Sequence, residues 1–144
     1  MDNYVVLFIR TSLISFLIGS VLGVEMTIEP AHISYFRNAH VHLNLLGFMA
    51  MMIYGVGYHV LPRFSGMMLH SRNLMVSHYY LGVVSLGIMS LCRAGMDMTC
   101  YADSLRRALF TSSAAHAASI FLFFYNIYRS IKPVSQPQAS EQKA

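Results

Sequence analysis

The stretch Asn38–Phe64, NAHVHLNLLGFMAMMIYGVGYHVLPRF, decides how this chain folds. It is apolar enough to enter a bilayer, yet it carries His40, His42 and His59. Ionisable side chains inside a membrane are costly and by default mark function. On a helix, positions i and i+2 lie about 200° apart and do not face each other. His40 and His42 therefore address different neighbours, which disfavours one metal ion held by both.

The composition agrees with a membrane setting. Hydrophobic residues make up 56% of the 144 and charged residues only 11%, against about 25% charged in an ordinary soluble domain. The formal charge of +4 is spread along the chain, so no basic cluster points to nucleic acid. GVG inside the quoted stretch lacks a following Lys-Ser/Thr and is not a phosphate loop. Ser112 and Ser113 near His116 have no positioned acid, which argues against hydrolysis. Cys92 and Cys100 are too few for a disulfide framework and are expected as free thiols. The Met-rich runs GFMAMMIYG and GMMLH read as flexible apolar filler.

A spanning helix needs about 20 mostly apolar residues. Four runs qualify, at approximately 4–24, 39–61, 74–94 and 105–128. Connecting segments are expected to hold Glu25, Glu29 and Pro30, then Pro62, Arg63 and Gly66, then Asp97 and Asp103. MDNYVV has no basic n-region, so the first run reads as a span rather than a cleaved signal. Arg10 near its start has a stem long enough to snorkel to the interface. Residues 132–144 are polar and contain Pro, and are expected to be a disordered tail. The expected fold is an all-α membrane protein, an up-down bundle of four transmembrane helices over residues 1–131. Arg63, Arg72, Arg129, Lys132 and Lys143 fall on the side of both termini. Arg37, Arg93, Arg106 and Arg107 fall on the other, offset by Glu25, Glu29, Asp97 and Asp103. The positive-inside rule then places both termini in the cytoplasm.

Depth separates the histidines. At 1.5 Å per residue, His42 lies roughly 7–8 Å inside the outer boundary and His116 about 13–14 Å inside it. His59 and His78 lie about 6 Å and about 9 Å from the cytoplasmic boundary. His32 and His70 fall in loops. The expectation is an outer group of His40, His42 and His116 and an inner pair of His59 and His78, with the His40–His42 pair about 25 Å from His59. Gly55 lies one turn from His59 and Gly82 one turn from His78, giving relief of the kind a macrocycle needs. Ser112, Ser113 and Ser119 share the face of His116. Imidazole also suits zinc and copper, and histidines bond to carbonyls or across helices in membranes.

The segment from His40 to Phe64, with HVH, then LLGF, then YGVGYHVLPRF, resembles a region of subunit I of the haem–copper oxidases and nitric oxide reductases. It looks most like the cbb-type oxidases. The whole chain also resembles short four-helix bacterial proteins described as subunit-I-like, with Tyr58-His59 and His78 at the matching places. The resemblance implies haem b, one or two per chain, with His42 as the low-spin-type axial ligand and His40 as the high-spin-type ligand. His116 or a histidine of another copy would partner His42, and His59 would pair with His78. Arg93, Arg106 and Arg107 would meet propionates. The implied role is electron transfer in the bacterial inner membrane, beside other respiratory subunits or in a homo-oligomer, with quinol or cytochrome c as redox partner. The chain has no His-His pair of the kind that binds copper in those oxidases, so it is not expected to reduce oxygen alone. The alternatives are a non-catalytic accessory, assembly or gas-sensing subunit, and a metal-binding membrane protein.

Overall fold

The computed structural model describes residues 2–96 and 101–131. They form helices, with no strand among the described residues. We label them α1 (Asn3–Ile28), α2 (Pro30–Phe64), α3 (Arg72–Met96) and α4 (Ala102–Ser130). All four are long and apolar enough to cross a membrane.

Every helix outruns its expected span, because the polar residues expected in connections are accommodated at helix ends. Glu25 lies inside the last turn of α1, where its carboxylate meets His32 Nδ1 at 2.8 Å. Glu29 is the true break, with φ −125° and ψ 91°. Its side chain accepts from the Ala31 N–H, and Pro30 follows at the first helical position, where a missing N–H costs nothing. Helix α2 thus starts at 30 rather than 39, and His32 belongs to its first turn rather than to a loop.

Pro62 and Arg63 likewise lie inside α2. Proline in the final turn removes one donor without ending the helix. The stop is Gly66, at φ +62°. Gly66 N–H donates to Arg63 O and Met67 N–H to Pro62 O, at 3.0 and 2.8 Å, the paired closure that a left-handed glycine permits. Asp103 sits in the first turn of α4, where a carboxylate favours the helix dipole. Asp97, Cys100 and the tail at 132–144 lie outside the described residues. Cys92 is a buried free thiol.

One end of the bundle gathers the start of α1, the end of α2, the start of α3 and the end of α4. Asp2 caps α1 by accepting from Tyr4 N–H and pairs with Arg72 at 2.9 Å. Those contacts, the Tyr4 N–H foremost, hold its carboxyl below the usual range. Asn126 receives the Ser71 N–H and donates to the Ser71 carbonyl, and Ser130 Oγ accepts from His70 N–H.

The half of the bundle nearest Asp2 is held by Val5, Phe8, Met51, Tyr54, Tyr58, Met75 and Ile127. Farther along, small residues let backbones approach, as such residues do in membrane bundles. A Cβ on Gly47 would lie 2.6 Å from Ser15 Cβ, and one on Gly55 would lie 3.1 Å from Phe8 Cβ. Between residues 43 and 50, α2 is π-helical, a form that appears in natural helices mostly as short insertions, often at functional sites. It lies directly after His42.

Candidate functional site

The helix-angle argument separates the first two histidines, and the structure keeps them apart. His40 turns toward α1, where its Nδ1 lies 2.8 Å from the Gly19 carbonyl oxygen. A carbonyl only accepts, so Nδ1 carries the proton and Nε2 keeps its lone pair. Asn44 Nδ2 donates to the His40 carbonyl at 2.8 Å, supplying a partner within the π-helical turn. Glycine is required on both sides of this cluster. A Cβ on Gly19 would meet Asn44 Nδ2 at 2.5 Å, and one on Gly23 would meet the His40 ring at 2.9 Å.

His42 is half-buried, and its Nδ1 is enclosed with no hydrogen-bond partner among the described residues.

His116 is buried, and its Nδ1 lies 2.9 Å from Ser85 Oγ. Ser85 Oγ also lies 3.0 Å from the Gly82 carbonyl, so its single proton serves either that oxygen or His116 Nδ1. The His116 Nε2 is buried without a hydrogen-bond partner among the described residues.

His78 is fully buried. The rings of Phe8, Tyr54 and Phe123 surround it at centroid distances of 5.0, 4.6 and 5.6 Å. Its Nδ1 meets the Tyr58 hydroxyl at 3.0 Å. A buried phenol proton requires an acceptor, and His78 Nδ1 supplies one. With Tyr58 as donor the His78 proton resides on Nε2, which has no partner among the described residues.

The expected inner pair is not brought together. His59 sits against the Arg63 guanidinium on the helix surface and opens onto a cavity of about 480 Å3 that Asp2, Tyr58, Arg63 and Arg72 also line. His78 faces the core and meets Tyr58 instead. His70 lies between helices, its ring edge-on to Tyr125.

The small residues expected beside a macrocycle serve helix packing. A Cβ on Gly82 would lie 3.2 Å from Met51 Cε and 3.5 Å from Ser119 Oγ, so α2 and α4 fill that place. Ser112, Ser113 and Ser119 bond back to carbonyls of their own helix. A porphyrin therefore does not fit against His78, and none reaches His116 without parting α3 from α4. His40 fits as an axial ligand, with one nitrogen fixed by a carbonyl and the other bare, the arrangement that orients ligating imidazoles. Among the described residues no three His, Cys, Asp or Glu side chains group closely enough to hold a metal ion. Arg106 and Arg107 are exposed, and the Arg93 side chain lies outside the described residues.

Sequence reasoning missed Tyr58, Ser85 and Asn126. Tyr58 stood beside His59 in the sequence, but its bond runs to α3. Nothing in the spacing of Ser85 marks it as the partner of a histidine 31 residues later. Comparison of the chain with family models, with curated proteins and with solved structures gives no match.

Proposed function

We propose that this chain is a haem b-binding membrane protein of a respiratory assembly, an up-down bundle with both termini cytoplasmic in the bacterial inner membrane. His40 and His42, on opposed faces of α2, are its ligand positions. The observation that carries this reading is the His40 cluster. Gly19 fixes Nδ1, Gly23 clears the ring, Asn44 holds the turn, and Nε2 is left bare. A neutral imidazole with its second nitrogen fixed suits haem iron.

When bound, haem supplies one-electron redox chemistry. The chain's own residues orient the imidazole and keep the site dry. Because the core closes over His78 and His116, the reading assigns the opposite side of each outer site to another copy or to a neighbouring respiratory subunit. The exposed apolar faces of α1 and α2, including Phe16, Leu17, Val21, Leu45 and Met49, leave room for such a neighbour or for lipid. Quinol or cytochrome c is the redox partner.

The test is a pyridine haemochrome assay with iron quantified per chain, on protein expressed with adequate haem. A Soret band and reduced α-band are expected, lost or altered in His40→Ala and His42→Ala. Absence of both bands in the parent protein sinks the reading.

A second reading has its own observation. The closed aromatic cage around His78 suits a histidine that stabilises the bundle, as in a non-catalytic accessory or assembly subunit. Haem absent while an oxidase co-purifies distinguishes it.

A further inference from the structure

In the cavity of about 480 Å3 at the Asp2 end, charge and apolar surface meet. Two guanidiniums, Arg63 in the last turn of α2 and Arg72 at the start of α3, share its wall with one carboxylate, Asp2. Asp2 is committed to Arg72, through Oδ2 and Nε at 2.9 Å. That contact uses one of the N–H groups of the guanidinium fork and leaves the others open. Arg63 has no carboxylate within ion-pair reach among the described residues, and it lies against His59, which brings no negative charge. The two arginines and Asp2 together leave one positive charge unmatched, and a single monoanion would balance it.

The rest of the wall is apolar. Val5, Pro62, Met67 and Leu69 line it. Met68, which also lines it, is 89% exposed, and Phe64, beside Arg63 in the chain, is 81% exposed. Side chains this apolar and this open suit lipid around the opening better than water. In a bundle that spans a bilayer, helix ends lie at headgroup depth, where basic pockets between helices hold lipid headgroups.

We infer that this cavity binds the phosphodiester group of an anionic phospholipid. Arg63 and the open N–H groups of Arg72 hold its oxygens, and the glycerol and first acyl carbons lie against Pro62, Met67 and Leu69. Guanidinium forks match phosphate oxygens two at a time. A phosphatidylglycerol headgroup brings the one negative charge that the cavity lacks. A phosphatidylcholine headgroup brings its own cation and leaves the imbalance in place. Free phosphate has no apolar part to set against the methionines and Pro62. The site rests on the membrane setting of the chain and not on haem at His40 and His42. A preparation without haem bands that binds lipid as described below leaves it standing.

The test is native mass spectrometry of the full chain in detergent, titrated with phosphatidylglycerol, with phosphatidylcholine of the same acyl chains, or with sodium phosphate. One phosphatidylglycerol per chain is expected to bind at least about tenfold tighter than phosphatidylcholine, the effect of one charge-assisted partner. Arg63→Gln should lose that preference. Arg63 makes no ion pair among the described residues, so the variant should fold, and its helicity checks this. Arg129→Gln removes an equal charge from an exposed position at the same end of the bundle, outside the cavity wall, and should keep the preference. Equal binding of the two lipids by the parent overturns the inference and needs no variant. So does a parent-like preference in Arg63→Gln, and so does a preference lost equally in Arg129→Gln, which is attraction to net charge alone. Displacement of the lipid by sodium phosphate at equal concentration assigns the site to free phosphate and overturns the lipid.

Discussion

The Nδ1 atom of His40 lies 2.8 Å from the carbonyl oxygen of Gly19, a contact 21 residues apart in sequence. It joins α1 to α2 at the point where α2 turns π-helical. The carbonyl is already part of α1, so the bond fixes the ring without rearranging the helix. The cluster depends on the absence of two side chains. Gly23→Ala would put a methyl 2.9 Å from the His40 ring, and Gly19→Ala one 2.5 Å from the Asn44 amide. Overpacking of this kind costs about 1–3 kcal/mol. Gly23→Ala is expected to keep the helical content, lower the unfolding free energy in detergent by that amount, and shift or remove the bands of the haem proposed at His40. A variant with parent stability and parent spectrum would show that the ring has room to move, and that its fixing is immaterial.

The Tyr58–His78 bond yields a second expectation. Tyr58→Phe keeps the ring that packs against Phe8 and Phe123 but leaves His78 Nδ1 buried without a donor. The cost should be about 1–3 kcal/mol, the penalty of an unmet buried acceptor. Replacing both residues, Tyr58→Phe with His78→Phe, removes the two polar partners together, so the double variant should lose less than the sum of the singles. A double-mutant cycle on unfolding in detergent measures the difference, expected at about 0.5–3 kcal/mol for groups in contact. Strict additivity would mean that the bond contributes nothing.

How much of this was legible in the sequence follows from which interactions are local. The four helices long and apolar enough to cross a membrane are a property of windows of apolar residues, and hydropathy finds them. The separation of His40 from His42 follows from the helical angle alone. The helix ends were misjudged because Glu25, Pro62 and Asp103 look like breakers, while the structure gives each a place within a terminal turn. His59 and His78 matched in depth, but depth does not specify angle, and the two rings turn to different surroundings. The pairing of His116 with Ser85 and of His78 with Tyr58 depends on which helices neighbour which. No periodicity within one helix encodes that.

At the Asp2 end, pH acts through a carboxylate. Asp2 accepts from Tyr4 N–H and pairs with Arg72, and its folded-state pKa is lowered. The stability it contributes is therefore complete above the unfolded carboxyl pKa and is lost as pH falls through the lowered folded value. Asp2→Asn keeps a capping oxygen and loses the ion pair, while Asp2→Ala loses both. The cap is worth about 1 kcal/mol; the exposed pair adds less and is screened by salt. Unfolding followed from neutral pH into the acid range should show the parent and Asp2→Asn converging, with Asp2→Ala below both. A constant gap between the parent and Asp2→Asn at all pH values would deny the carboxylate its role.

Asn126 makes the strongest claim on the fold. It is fully buried on α4, yet both ends of its amide engage the backbone of Ser71, accepting the N–H at 3.0 Å and donating to the carbonyl at 2.8 Å. One side chain thus engages both main-chain groups of the residue that precedes α3; the Ser71 N–H has no helix acceptor, while the Ser71 carbonyl also accepts from Met75 N–H at 3.4 Å. Asn126→Leu preserves bulk and removes both bonds. It strands the Ser71 N–H, a donor worth about 1–3 kcal/mol when buried and unmet, tempered by water reaching a half-buried Ser71, while the Ser71 carbonyl keeps the Met75 N–H. Asn126→Asp retains the acceptor and loses the donor. The expected order of stability is parent, then Asp, then Leu, with hydrogen exchange at the Ser71 amide faster in Leu and close to the parent in Asp. Were the Leu variant as stable as the parent, with the Ser71 amide still protected, the junction between α3 and α4 would have to be held by packing alone.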